Sequence, residues 1–179
     1  MNRKAHGFTI VELLIVIVVI GILATIGIVA YNGVSQKANN AAIISAASNS
    51  SKMIQTYIAE YGTYPYTVPT SSVTFCITTE SGCLDTSGNT IGNRATFDTE
   101  MARVGAIPRS VPNSGGEMNG VVYQYVEAAT VNGASQPFSL VYWLQGVNQD
   151  CGSPVVVQWY NTPTGKTRCR VNVPGPAHR

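Results

Sequence analysis

Residues 8–31 form an almost unbroken apolar segment in which Glu12 is the single charged side chain. A stretch of this length suits a membrane-crossing helix, which needs about 20 apolar residues. That limits the chain to folds beginning as a helix in lipid or inside a bundle. An acidic side chain at the centre of such a helix costs about 2.5–3.5 kcal/mol on insertion scales and usually has a partner. Glu12 stands near one end, where the penalty is smaller, yet nothing within the segment neutralises it. A free α-amine, made by cutting the chain between Gly7 and Phe8, would do so.

Three simpler readings compete. A carboxylate at a helix N-terminus is favoured by the macrodipole by about 0.3–1 kcal/mol, but this leaves the Gly7-Phe8 context unexplained. An ordinary secretory signal would be cut after Ala24 or Ala30. The leader is brief for that, and the apolar run exceeds the roughly 7–15 residues of an h-region. Ile22-Leu23-Ala24 and Ile28-Val29-Ala30 also place a β-branched residue where a small one is preferred. A plain signal anchor fits better. Under either membrane reading Arg3 and Lys4 hold the N-terminus in the cytoplasm by the positive-inside rule.

A short basic leader ends in Gly7, Phe8 follows, Glu12 is the fifth residue after that junction, and LLIVIVVIGILATIGIVAY continues it. This arrangement resembles the prepilin signal of type IV pilins and pseudopilins. The resemblance implies that a prepilin peptidase cuts after Gly7 and methylates the amine of Phe8. It implies that Glu12 then pairs with the Phe8 amine of a neighbouring subunit. The physics agrees, because an unpaired carboxylate in lipid is relieved only when an opposite charge stands at the correct height. Many type IV pilins carry a helix-bending proline where this chain has Val29. Here Gly21 and Gly27 are the weak points, each costing about 1 kcal/mol relative to alanine. They serve either local unwinding or close helix–helix approach.

Charged residues make up 11% of the 179-residue chain, against about 25% in an average globular protein. Of eleven basic and nine acidic side chains, Arg3 and Lys4 lie in the leader, so nine of each remain. The mature chain has no global field to draw nucleic acid or a membrane surface. All four cysteines, Cys76, Cys83, Cys151 and Cys169, follow the apolar segment and read as two disulfides in an oxidising exterior. Three pairings are open to them. Cys76–Cys83 and Cys151–Cys169 are favoured because each closes a local loop. The spacings miss the tight knuckles of structural zinc sites.

No proline occurs between Thr9 and Tyr61, and one long helix is expected there. Beyond Tyr31 it turns amphipathic. Val34, Ala38, Ala41, Ile44, Ala47, Ile54, Ile58 and Tyr61 mark a packing face, and Lys37, Asn40, Lys52 and Glu60 the opposite one. Gly62 suits a left-handed cap and Pro65 cannot continue the helix. The ending Tyr61-Gly62-Thr63-Tyr64-Pro65 also resembles the helix-to-loop junction of pilins. After a connecting region with a short strand at 74–78 and a short helix at 97–104, four strands are expected at 121–127, 139–145, 155–161 and 167–173. Asn132-Gly133 and Pro163-Thr164-Gly165 supply turns. The expected fold is α+β, a long N-terminal helix packed on an antiparallel meander of about four strands. Val155, Val157 and Trp159 would face the helix. Cys151 and Cys169 bracket the last hairpin, which resembles the disulfide-closed C-terminal region of many pilins. The division is a leader at 1–7, a transmembrane or filament-core segment at 8–31 and a head at 32–179.

No enzyme constellation is present. His6 lies in the leader and His178 is the penultimate residue. Glu80, Asp85, Asp98, Glu100, Glu117, Glu127 and Asp150 are scattered without metal-ligand spacing. Ser114-Gly115-Gly116 is loop composition rather than a phosphate loop. No cofactor or metal is implied. Lys166, Arg168 and Arg170 alternate, so on a strand they share one face. That row reads either as an anion-binding patch for nucleic acid or an anionic cell surface, or as an edge strand blunted by charge. Tyr57, Tyr61, Tyr64 and Tyr66 read as core and junction packing.

The leading expectation is a type IV pilin-like structural subunit. It is a single-pass prepilin with a cytoplasmic N-terminus, then a surface filament. The resemblance implies as partners the prepilin peptidase, an assembly ATPase with its membrane platform protein, and copies of itself or other pilins. A pseudopilin of a type II secretion or DNA-uptake system is the alternative within the family. A signal-anchored surface binding domain that never polymerises is the alternative outside it.

Overall fold

In the computed structural model the described residues are 8–66, 73–78, 82–85, 89–109, 119–125, 130–131, 133–135, 138–152 and 156–176. Gly7, Ser114-Gly115-Gly116 and the side chains of Val155, Val157 and Trp159 lie outside them. The chain divides into two compact units, residues 1–38 and 39–179.

Helix α1, Ile10–Tyr61, runs from the first unit into the second. Among the described residues its apolar first half has none that is buried, and it is the one helix long and apolar enough to cross a membrane. Gly21 and Gly27 are both helical, and a Cβ at either would meet nothing within 4 Å. Between them Thr25 Oγ1 donates to the Ile22 carbonyl at 2.7 Å, which satisfies the hydroxyl within the helix. The helix stops as expected at Gly62, whose φ is +70° and whose N–H reaches the Ile58 carbonyl at 2.8 Å.

The second unit follows in the order β1 (Val73–Cys76), β2 (Cys83–Leu84), β3 (Thr90–Ile91), α2 (Ala95–Met101), β4 (Val121–Tyr125), β5 (Thr130–Val131), β6 (Ala134–Ser135), β7 (Phe138–Gln145), β8 (Val156–Asn161) and β9 (Lys166–Asn172). β2 pairs with β3 and β5 with β6 as small hairpins. The Val131–Ala134 pairing leaves a two-residue loop in which Gly133 takes φ +77°, as an Asn-Gly turn requires. The main sheet is antiparallel with strand order β1-β4-β7-β9-β8.

This order corrects the expected meander. β9 pairs with β7 and β8 lies outside it. The physical reason is the bond between Cys151 and Cys169. It pins the middle of the β7–β8 connection to the centre of β9, so the connection crosses β9 and β8 returns on the far side. The turn back is closed by Thr162 N–H to the Lys166 carbonyl at 2.7 Å, with Gly165 at φ +74°.

One sheet face packs with α1. Phe75, Tyr123, Phe138, Leu140, Tyr142, Leu144, Cys169 and Val171 join Ile43, Ala47, Ile54 and Tyr57 in one core. Phe75 stacks on Tyr123 at 4.8 Å between centroids, and Tyr64 on Phe138 at 3.7 Å. The buried helix face differs from the expected one. Asn40, Ile43, Ala47, Ser50, Ile54 and Tyr57 are buried, whereas Val34 is 68% exposed, Ala41 is exposed and Tyr61 is 39% exposed. Counting apolar residues misplaced the stripe because an asparagine and a serine occupy it.

Asn40 acts as a polar clamp. The Gln145 N–H donates to its Oδ1 at 2.8 Å, and its Nδ2 donates to the Gln145 carbonyl at 3.0 Å and to Gln149 Oε1 at 3.2 Å. Replacing Asn40 with alanine strands the Gln145 backbone groups at the end of β7. The expected loss is about 2 kcal/mol of head stability, read from denaturant midpoints at constant m-value. Unchanged midpoints would show that water replaces the clamp.

Buried tyrosines make the head sensitive to alkali. Burial, and then the hydrogen bond from its hydroxyl to Glu100 Oε2 at 2.6 Å, push Tyr57 up to about 12. Burial alone does the same for Tyr64. Burial and then the charge of Asp150 raise Tyr142 to about 12. In the unfolded chain tyrosine titrates near 10. The folded state therefore prefers the neutral hydroxyls. Their contribution is complete below about pH 10 and is lost as pH rises toward 12. Loss of far-UV sheet signal in that window is expected; a constant signal to pH 12 would refute it.

Candidate assembly site and head sites

Thr9 and Glu12 build a capping box at the start of α1. The Thr9 N–H donates to Glu12 Oε2 at 2.8 Å and the Thr9 hydroxyl donates to the same oxygen at 2.7 Å. In return the Glu12 N–H donates to Thr9 Oγ1 at 3.3 Å. This reciprocal arrangement satisfies two of the orphan donors at a helix start. Both bonds to the carboxylate land on Oε2, so among the described residues Oε1 accepts nothing. Glu12 is thus tied to Thr9 through one carboxylate oxygen. Phe8 is 79% exposed beside it.

The sequence reading singled out Glu12 and passed over Thr9. The signal was legible as Thr-x-x-Glu before an apolar run. The capping role of Glu12 uses Oε2 alone.

In the second unit the disulfides join Cys76 to Cys83 and Cys151 to Cys169. Tyr142 donates its hydroxyl to the Cys151 carbonyl, and Gly152, at φ +72°, lies where a Cβ would meet Ile44 Cγ2 at 2.6 Å. Acidic side chains are taken up locally. Asp98 pairs with Arg109, and Glu100 pairs with Arg103 as well as accepting from Tyr57.

The row of Lys166, Arg168 and Arg170 requires correction. It is neither on an edge strand nor an exposed stripe. β9 lies between β7 and β8, Lys166 is buried, and Arg168 and Arg170 are partly buried. The alternation was read correctly, but the strand order that covers it depends on the Cys151–Cys169 crossing.

Residues 2–28 match the family model of the prokaryotic N-terminal methylation motif. The chain is 33% identical over 69 residues to the type IV major pilin protein PilE1 of Neisseria gonorrhoeae, covering 38% of this chain and 32% of that protein. It is 34% identical over 65 residues to a fimbrial protein of Neisseria meningitidis serogroup B, covering 36% of this chain and 38% of that one. The matches thus span about a third of the length of these curated relatives. No solved structure matches the chain. The methylation motif thus covers the start of a long helix whose later turns pack on an antiparallel sheet, and over about a third of its length the chain is similar to type IV pilins.

Proposed function

We propose that the chain is the structural subunit of a type IV pilus-like filament. It is inserted as a single-pass prepilin with a cytoplasmic N-terminus, cut after Gly7 and methylated at Phe8. The observation that carries this reading is the Gly7-Phe8 junction within the methylation motif, followed by Glu12, whose bonds to described residues use one carboxylate oxygen. The new amine of one subunit meets Glu12 Oε1 of the next in a medium of low dielectric, where an ion pair is far stronger than in water. Residues 8–31 then form the filament core and residues 32–179 the head. The partners are a prepilin peptidase, an assembly ATPase with its platform protein, and further copies of this chain or other pilins. That the relatives are a major pilin and a fimbrial protein supports a pilus over a secretion pseudopilus.

Replacing Gly7 with valine tests the processing step without touching the helix. Uncut chain should accumulate in the membrane fraction, and the sheared fraction should contain none. Filaments built from uncut Gly7→Val chain would contradict the reading.

A further inference from the structure

Among the described residues, the sheet face turned away from α1 carries two buried N–H groups without acceptors. β7 and β9 pair with Val141 opposite Arg170 and Trp143 opposite Arg168, and opposed residues of an antiparallel pair share a face. Val122, Val141 and Trp143 form a second apolar cluster there with the cysteines of the Cys76–Cys83 disulfide. Trp143 is 5% exposed, and among the described residues its Nε1 has no hydrogen-bond partner. Arg170 donates through Nε to Ser139 Oγ at 2.9 Å, but its buried Nη2 has no partner among the described residues. Indole and guanidinium nitrogens can only donate, so whatever completes them must be an acceptor.

Trp143 and Arg170 are diagonal neighbours across the β7–β9 pair, within common reach of long side chains. Arg170 is only partly buried, which leaves part of it open to solvent. Burial, and then the like charge of Arg168, disfavour its charged form; a bound anion would offset both. Val122 and Val141 supply an apolar floor, the usual companion of a few convergent polar groups in a binding site.

We propose that Arg170 and Trp143, above Val122 and Val141, form a binding site for a single oxyanion, a carboxylate or a phosphate group. Ser139 is a positioning residue, holding the guanidinium through Nε so that Nη2 points to the ligand. The site differs from an exposed cationic stripe for duplex nucleic acid, because Lys166 is buried and, among the described residues, the buried guanidinium nitrogen without a partner in this row is Arg170 Nη2.

The test uses the full chain in detergent micelles with ¹⁵N-labelled tryptophan. The chain has two tryptophans, and Trp143→Phe assigns the relevant indole signal. Sodium acetate and sodium phosphate are titrated separately against sodium chloride at equal ionic strength. The Trp143 indole resonance should move saturably with at least one oxyanion and not with chloride. Arg170→Gln should weaken that response about tenfold or more, and Arg170→Lys should retain part of it. Response to acetate alone identifies a carboxylate ligand, and response to phosphate alone a phosphate. No saturable movement with either anion, or an equal response in a folded Arg170→Gln chain, would overturn the proposal.

Discussion

Replacing Glu12 with glutamine is expected to abolish filaments while leaving the prepilin inserted and cut. Glutamine keeps the carbonyl acceptor that a capping box needs, so α1 still starts at the same place. What it removes is the charge. In the assembled filament that would leave the Phe8 ammonium buried without a partner. Breaking a buried ion pair in this way costs about 3–5 kcal/mol. Each subunit addition would become roughly 100- to 5,000-fold less favourable. The sheared fraction measured by immunoblot should be empty, with normal mature chain in the membrane. Thr9→Ala is the counterpart. It removes the cap, worth about 1 kcal/mol, and keeps the charge, so filaments should be fewer but present. Normal assembly of Glu12→Gln would reduce Glu12 to a helix cap.

The second large effect is expected from removing the Cys151–Cys169 bond. The two residues are 18 apart in sequence, and closing a loop of that length stabilises by about 3 kcal/mol on the chain-entropy model. The Cys151→Ser, Cys169→Ser double variant should therefore melt about 10 °C lower. Its position adds to the effect. The bond holds the connection that crosses β9, and the Tyr142 hydroxyl and the tight contact of Gly152 with Ile44 depend on that path. The Cys76–Cys83 loop is shorter, with a separation of 7, and its double variant should lose less, about 2.5 kcal/mol. Thermal melts of the full chain in detergent, with the two double variants in parallel, give the comparison. Equal losses, or a larger one at Cys76–Cys83, would count against the crossing connection as the pinned element.

Much of this architecture was legible in the sequence because it rests on local rules. The absence of proline before Tyr61, the Gly62 cap and the alternation in the strands each act over a few residues. What the sequence reading missed depends on distant partners. Asn40 looked like a solvent residue, and only the end of β7, 105 residues away, makes it a clamp. The order of β8 and β9 follows from a disulfide crossing that strand periodicity does not encode. That same order buries Lys166 and moves the basic row from an edge to the interior of the sheet. At the N-terminus Glu12 stood out because a charge in an apolar run is conspicuous. Thr9, its partner three residues before, is an ordinary small polar residue until the helix start is placed.

The most direct test of the account is the N-terminus of the chain recovered from sheared surface material of the native cell, read by intact-mass and peptide mass spectrometry. A mature chain beginning at N-methylated Phe8 is the predicted result, since only a free amine at that residue can meet Glu12 of a neighbour. A chain that still begins at Met1, or one cut after Ala24 or Ala30, would contradict the filament reading and leave an anchored or secreted head.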